Sequence, residues 1–226
     1  AIGCSFDAHP IGAVELLAAA RPHMANALLR TLTLRLVSSM GRVASGSVIP
    51  SVAAAAAVAK ADFAAHCLQL HGGDAIIDAL ALECFGLALA DKPAILDEWV
   101  GCDAFVAAMQ RYRDHPCEPQ VAAAWLAALA AGAGALVPQR HSAIFPLLAR
   151  LLRVNAAFAA ARIAYWRAAE AIALLAPWSA TALLRVRGFD VALQRAMHAP
   201  CRTTAAHAIG AAAALLEAGA LGTPFV

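Results

Sequence analysis

The sequence predicts an all-α fold, a multi-helix bundle, and three observations predict it. About a quarter of the residues are alanine, the strongest helix former and only weakly hydrophobic. No segment alternates apolar with polar residues as a half-buried strand does. Proline and glycine recur at helix-length intervals and divide the chain into helical runs. With 226 residues, the chain is long enough to bury a substantial core.

The elements follow in order. Pro10 suits the first turn of a helix through VELLAAA, and Pro22 opens another through MANALLRTLTLRLVSS. GRVASGSVIP is a loop. From Ser51, an N-cap, a helix runs through AAAAAVAKADFAAHCLQL until Gly72 and Gly73 stop it. Asp74 caps the short helix DAIIDALALECF. After Lys92 and Pro93 comes AILDEWVGCDAFVAAMQRYR, and DHPCEP then breaks the chain. An alanine-rich helix around Trp125 ends at 132–138, and one long helical pattern spans 144–175 with Pro146 tolerated near its start. The breaks APWS, RVRGFD and HAPC separate the last helices, which close at EAGALGTPFV.

Composition excludes several function classes. The apolar fraction of 62% and mean hydropathy of +0.68 invite a membrane reading. However, the longest uncharged stretch, 119–139, is built of Ala and Gly more than Leu, Ile or Phe and reads as a buried helix. The start AIGCSFDAHP lacks the basic and apolar blocks of a secretory signal, so residence in the cytoplasm is expected. A formal charge of +2 from scattered arginines gives no basic stripe for nucleic acid. Cys4, Cys67, Cys84, Cys102, Cys117 and Cys201 form no CxxC pair, and most read as buried thiols in a reducing compartment.

The strongest chemical signal is KADFAAHCLQLHGGD, residues 60–74. It places Cys67 and His71 four apart, one helical turn, on the same face. An imidazole there can take the thiol proton or stabilise the thiolate that attacks a peroxide or disulfide. His66 precedes the cysteine but points about 100° away around the axis, which makes it the weaker partner. The competing reading is a buried thiol beside a hydrogen-bonded core histidine. Two ligands do not make a zinc site, and no metal or cofactor is expected. Asp97 and Glu98 read as a solvated helix start. Arg150, Arg153, Arg162 and Arg167 read as a solvated or subunit-facing stripe, and Trp166 and Trp178 as core or interface anchors.

AAHCLQLH resembles the active-site helix of the carboxymuconolactone decarboxylase and alkylhydroperoxidase D superfamily, where CxxCxxxH follows an apolar helical run. The helices before it, and FVAAMQRYRDHP, QVAAAWLAALAAGAG and RVNAAFAAARIAYW after it, are also similar to that family's. The similarity spans about residues 10–170, and residues 171–226 form a C-terminal helical extension on the same core. The resemblance implies an orthogonal helical bundle and a thiol-dependent peroxidase, with Cys67 as nucleophile, His71 as base, and a hydroperoxide and a thiol reductant as partners. Ala64 stands where the family carries its first cysteine, and Val52 where its relay glutamate lies. A resolving thiol would therefore come from Cys84, Cys102 or Cys117. The alternative is a catalytically inactive binding or assembly module of the same fold. QLHGG is also similar to a string in acyl-CoA dehydrogenases and LHGGD to one in citrate synthase, but the other motifs of both families are missing. With 14% charged residues the chain has little polar material to cover a monomer, so a homo-oligomer is expected.

Overall fold

The structure is a computed structural model that describes residues 10–23, 25–43, 50–70, 74–92, 94–95, 119–136, 144–155 and 158–220. Among these the fold is all-α: ten α-helices, three short 3-10 turns and no strand. The helices are α1 (Pro10–Ala20), α2 (Ala27–Val43), α3 (Pro50–Leu70), α4 (Ala75–Asp91), α5 (Pro119–Gly132), α6 (Ile144–Asn155), α7 (Ala159–Leu175), α8 (Ala180–Leu184), α9 (Phe189–Met197) and α10 (Arg202–Glu217).

Local chemistry sets their ends. Asp74 caps α4 as its sequence position predicts, its carboxylate accepting from the N–H groups of Ile76 at 3.0 Å and Ile77 at 3.2 Å. The helix runs on past Phe85 to Asp91: Gly86 does not stop it but sits within it as a point of close packing against Ala128. Pro22 does not open α2. It sits in a 3-10 turn, Arg21–His23, and Asn26 caps the helix by accepting from the Leu29 N–H at 3.1 Å. Ser51 is not the cap of α3 either, since Pro50 already occupies the first turn. The predicted loop at 41–50 is shorter at its start, where α2 continues to Val43; residues 44–49 lie outside the described residues.

The single helix expected over 144–175 is two. Phe158 leaves helical geometry at φ −96° and ψ 120° and begins α7. No proline or glycine stands there to signal the break. At RVRGFD the predicted break is supplied by Gly188, whose φ of +80° is a left-handed conformation that leads into α9.

The packing runs in series. α4 lies between α3 and α5, with α2 also against it; α7 lies between α5 and α10; α9 rests on α10. Small side chains allow close approach: a Cβ on Gly86 of α4 would meet the Ala128 backbone of α5 at 3.3 Å. Phe85, Trp166 and Phe189 fill the gaps, fully buried, each contributing roughly 1.5–3 kcal/mol. One contiguous core reaches from Leu17 of α1 to Leu215 of α10. Trp166 sits in that core, braced by Tyr165 at 5.1 Å and Phe189 at 5.6 Å between ring centroids. Trp178 is half-buried, and its indole donates to the Leu136 carbonyl at 3.2 Å. Among the described residues no helix is long and apolar enough to cross a membrane.

Candidate functional site

On α2 the buried residues Arg30, Thr33, Leu34 and Val37 fall at the three- and four-residue spacing of one helix face. That face brings a guanidinium into the core beside α4, where Asp78 is also fully buried. Cys67 of α3 and Cys84 of α4 belong to the same region. Both are free thiols with no exposed surface, and the Cys84 sulfur donates to the Leu34 carbonyl at 3.5 Å. Burial pushes the Cys67 thiol up to about 12, with the neighbouring Cys84 and Asp78 adding to the rise and Arg30 opposing it. Cys67 is therefore protonated at neutral pH. His66 is half-buried on the same helix. His71 lies outside the described residues, as do Asp97 and Glu98.

The described residues hold a cavity elsewhere, of about 940 Å3, between α6, α7, the turn after α8, α9 and the start of α10. Its size is that of small-molecule sites, which run roughly 300–1,000 Å3. Trp166 and Ala161 give it a buried apolar floor, and Leu151 and Val191 extend it. Arg162, Arg187, Arg195 and His198 supply its polar groups, and no acid is among the described residues that line it. Arg162 is half-buried, whereas Arg187, Arg195 and His198 are exposed at the rim. Arg162 is thus a cavity residue rather than part of a solvated stripe, while Arg167 of the same helix is exposed.

Two further groups belong to this cavity. Tyr165 lines it with 2% of its surface exposed, and its buried hydroxyl has no hydrogen-bond partner among the described residues. Burial raises its phenol well above the ordinary range. Thr204, fully buried, lines the opposite side at the first turn of α10. Its hydroxyl has no well-formed hydrogen bond of its own, and its contact with the Cys201 sulfur is the largest influence lowering that thiol. The N–H groups of Thr204 and Thr203 and the charge of Arg162 act in the same direction. Half-buried Cys201, at the N-cap position of α10, is the more acidic sulfur of the two.

The sequence reading missed Arg187, Arg195, His198, Tyr165 and Cys201. The available signal was the density of basic residues in RVRGFDVALQRAMHAPC, which the helix breaks within it obscured. Among the described residues no group of three or more His, Cys, Asp or Glu side chains could hold a metal ion. Compared with protein families, curated proteins and solved structures, the chain matches none.

Proposed function

We propose that the chain is a non-catalytic helical binding module that holds a small ligand in the cavity beside α7. Cys67 and Cys84 then serve as packing groups. The observation that carries this reading is the state of Cys67: a thiol with no exposed surface and an ionisation pushed up to about 12 is a poor nucleophile. The module has the alkylhydroperoxidase D-like orthogonal bundle of the resemblance, works in the cytoplasm, and self-associates. The free thiols suit a reducing compartment. Exposed Leu29, Leu32 and Leu36 on one side of α2 offer a surface for a second copy. Light scattering at micromolar concentration should therefore give a mass above the 23.2 kDa of one chain.

A thiol peroxidase is the second reading, and one observation favours it. Cys84 is a second free buried thiol in the neighbourhood of Cys67, near enough to act on its ionisation, and a resolving thiol would have to come from such a neighbour. In that cycle the Cys67 thiolate attacks a hydroperoxide oxygen and becomes a sulfenic acid as the alcohol leaves. Cys84 then displaces water to form a disulfide, and an external thiol reductant returns both sulfurs to thiols. Peroxide consumption with dithiothreitol as reductant separates the two. The module reading expects wild type and Cys67→Ser to be equally inactive, and turnover lost on that substitution would overturn it.

A further inference from the structure

The cavity is apolar at its floor and cationic at its rim. Half-buried Leu151 and exposed Val191 present an apolar surface to it, and Trp166, packed against Tyr165 and Phe189, lies buried beneath, a lining that favours contact with hydrocarbon. The rim carries Arg187 and Arg195, neither of which has an ion-pair partner among the described residues. Guanidinium groups stay charged at any accessible pH and match planar or tetrahedral oxyanions through paired N–H donors. Arg162 and the first turn of α10, the positive end of a sixteen-residue helix, add to the same potential. Tyr165 supplies a buried hydroxyl that no described protein group satisfies, and such groups are normally paired.

We propose that this cavity binds a small amphipathic anion, with a carboxylate or phosphate head held by Arg187 and Arg195 and an apolar body lying against Leu151 and Val191. The proposal rests on the reading of the chain as a binding module and names the class of its ligand. An inorganic anion alone would leave Leu151 and Val191 in water, and a neutral hydrocarbon would leave the arginines without a counter-charge. The ligand needs both parts.

Calorimetric titration of the full chain with decanoate, decyl phosphate, decanol and inorganic phosphate tests this. One saturable site per chain is expected for decanoate or decyl phosphate, and the tighter of the two identifies the head. Decanol and inorganic phosphate should each bind at least about tenfold more weakly. Arg187→Ala with Arg195→Ala, both at exposed positions, should weaken the anion by about tenfold or more while circular dichroism stays unchanged. Cys67→Ser should leave the affinity as it is. Equal binding of decanol and decanoate would overturn the proposal, as would an affinity indifferent to the two arginines. Binding lost in Cys67→Ser but retained in the arginine variant would place the ligand at the thiol pair and overturn both the proposal and the reading beneath it.

Discussion

Alkylation of the cysteines under native conditions distinguishes a sealed thiol from a responsive one, and the structure sets the size of the difference. Cys67 is raised from 9.0 to about 12, whereas Cys201 lies below 9.0. At neutral pH the thiolate fraction of Cys201 therefore exceeds that of Cys67 by at least roughly a thousandfold. A more basic thiolate is intrinsically more nucleophilic, with a Brønsted slope near 0.4–0.5, which returns roughly 15- to 30-fold to Cys67. Cys201 should still react roughly 30- to 60-fold faster, and the burial of Cys67 widens the gap. Iodoacetamide labelling followed by peptide mass measures both rates in one sample. The Cys201 rate should reach half its plateau below pH 9.0, while the Cys67 rate should still be climbing at that pH. Thr204→Val should move the Cys201 midpoint upwards by removing the largest influence on it. Labelling of Cys67 as fast as that of Cys201 would refute the argument from burial.

Other consequences are open to measurement. A thiol whose folded value lies above its unfolded one contributes stability that is complete below the unfolded value and is lost as pH rises toward the folded one. For Cys67 that window runs from about 9 to about 12, and its thousandfold change in proton affinity corresponds to about 4 kcal/mol at most. Urea midpoints should fall with pH above about 9, and Cys67→Ala should flatten the decline; an equally steep fall in the variant would contradict the assignment. Tyr165→Phe removes a buried hydroxyl without a described partner and should stabilise the unliganded chain by about 1 kcal/mol in urea unfolding, whereas a loss of that size would show the hydroxyl to be bonded. Gly188→Ala meets no neighbouring atom yet must adopt φ +80°, so it should cost about 1 kcal/mol, and an unchanged midpoint would argue against that turn.

The fold class was legible because alanine content and proline or glycine spacing are local properties of the chain, and so was the Asp74 cap, which depends only on the residues that follow it. Where a boundary came from backbone geometry with no sequence marker, as at Phe158, the reading ran two helices together. The cap at Asn26 was overlooked because Pro22 gave the more conspicuous start signal. Of the sites, the spacing of Cys67 and His71 was legible but the burial of Cys67 was not. Burial depends on α4 and α2 packing over α3, which the spacing within one helix does not encode. The cavity is distributed in the same way. Arg162 and Thr204 are 42 positions apart and meet only through the packing of α7 on α10.

Amide hydrogen exchange of the full chain with and without saturating decanoate locates the working site most directly. Slowed exchange is predicted at 187–204 and along the cavity face of α7, with α3 and α4 unchanged. Slowing confined to α3 and α4 around Cys67 and Cys84, or none anywhere, would contradict a binding module centred on the arginine-rimmed cavity.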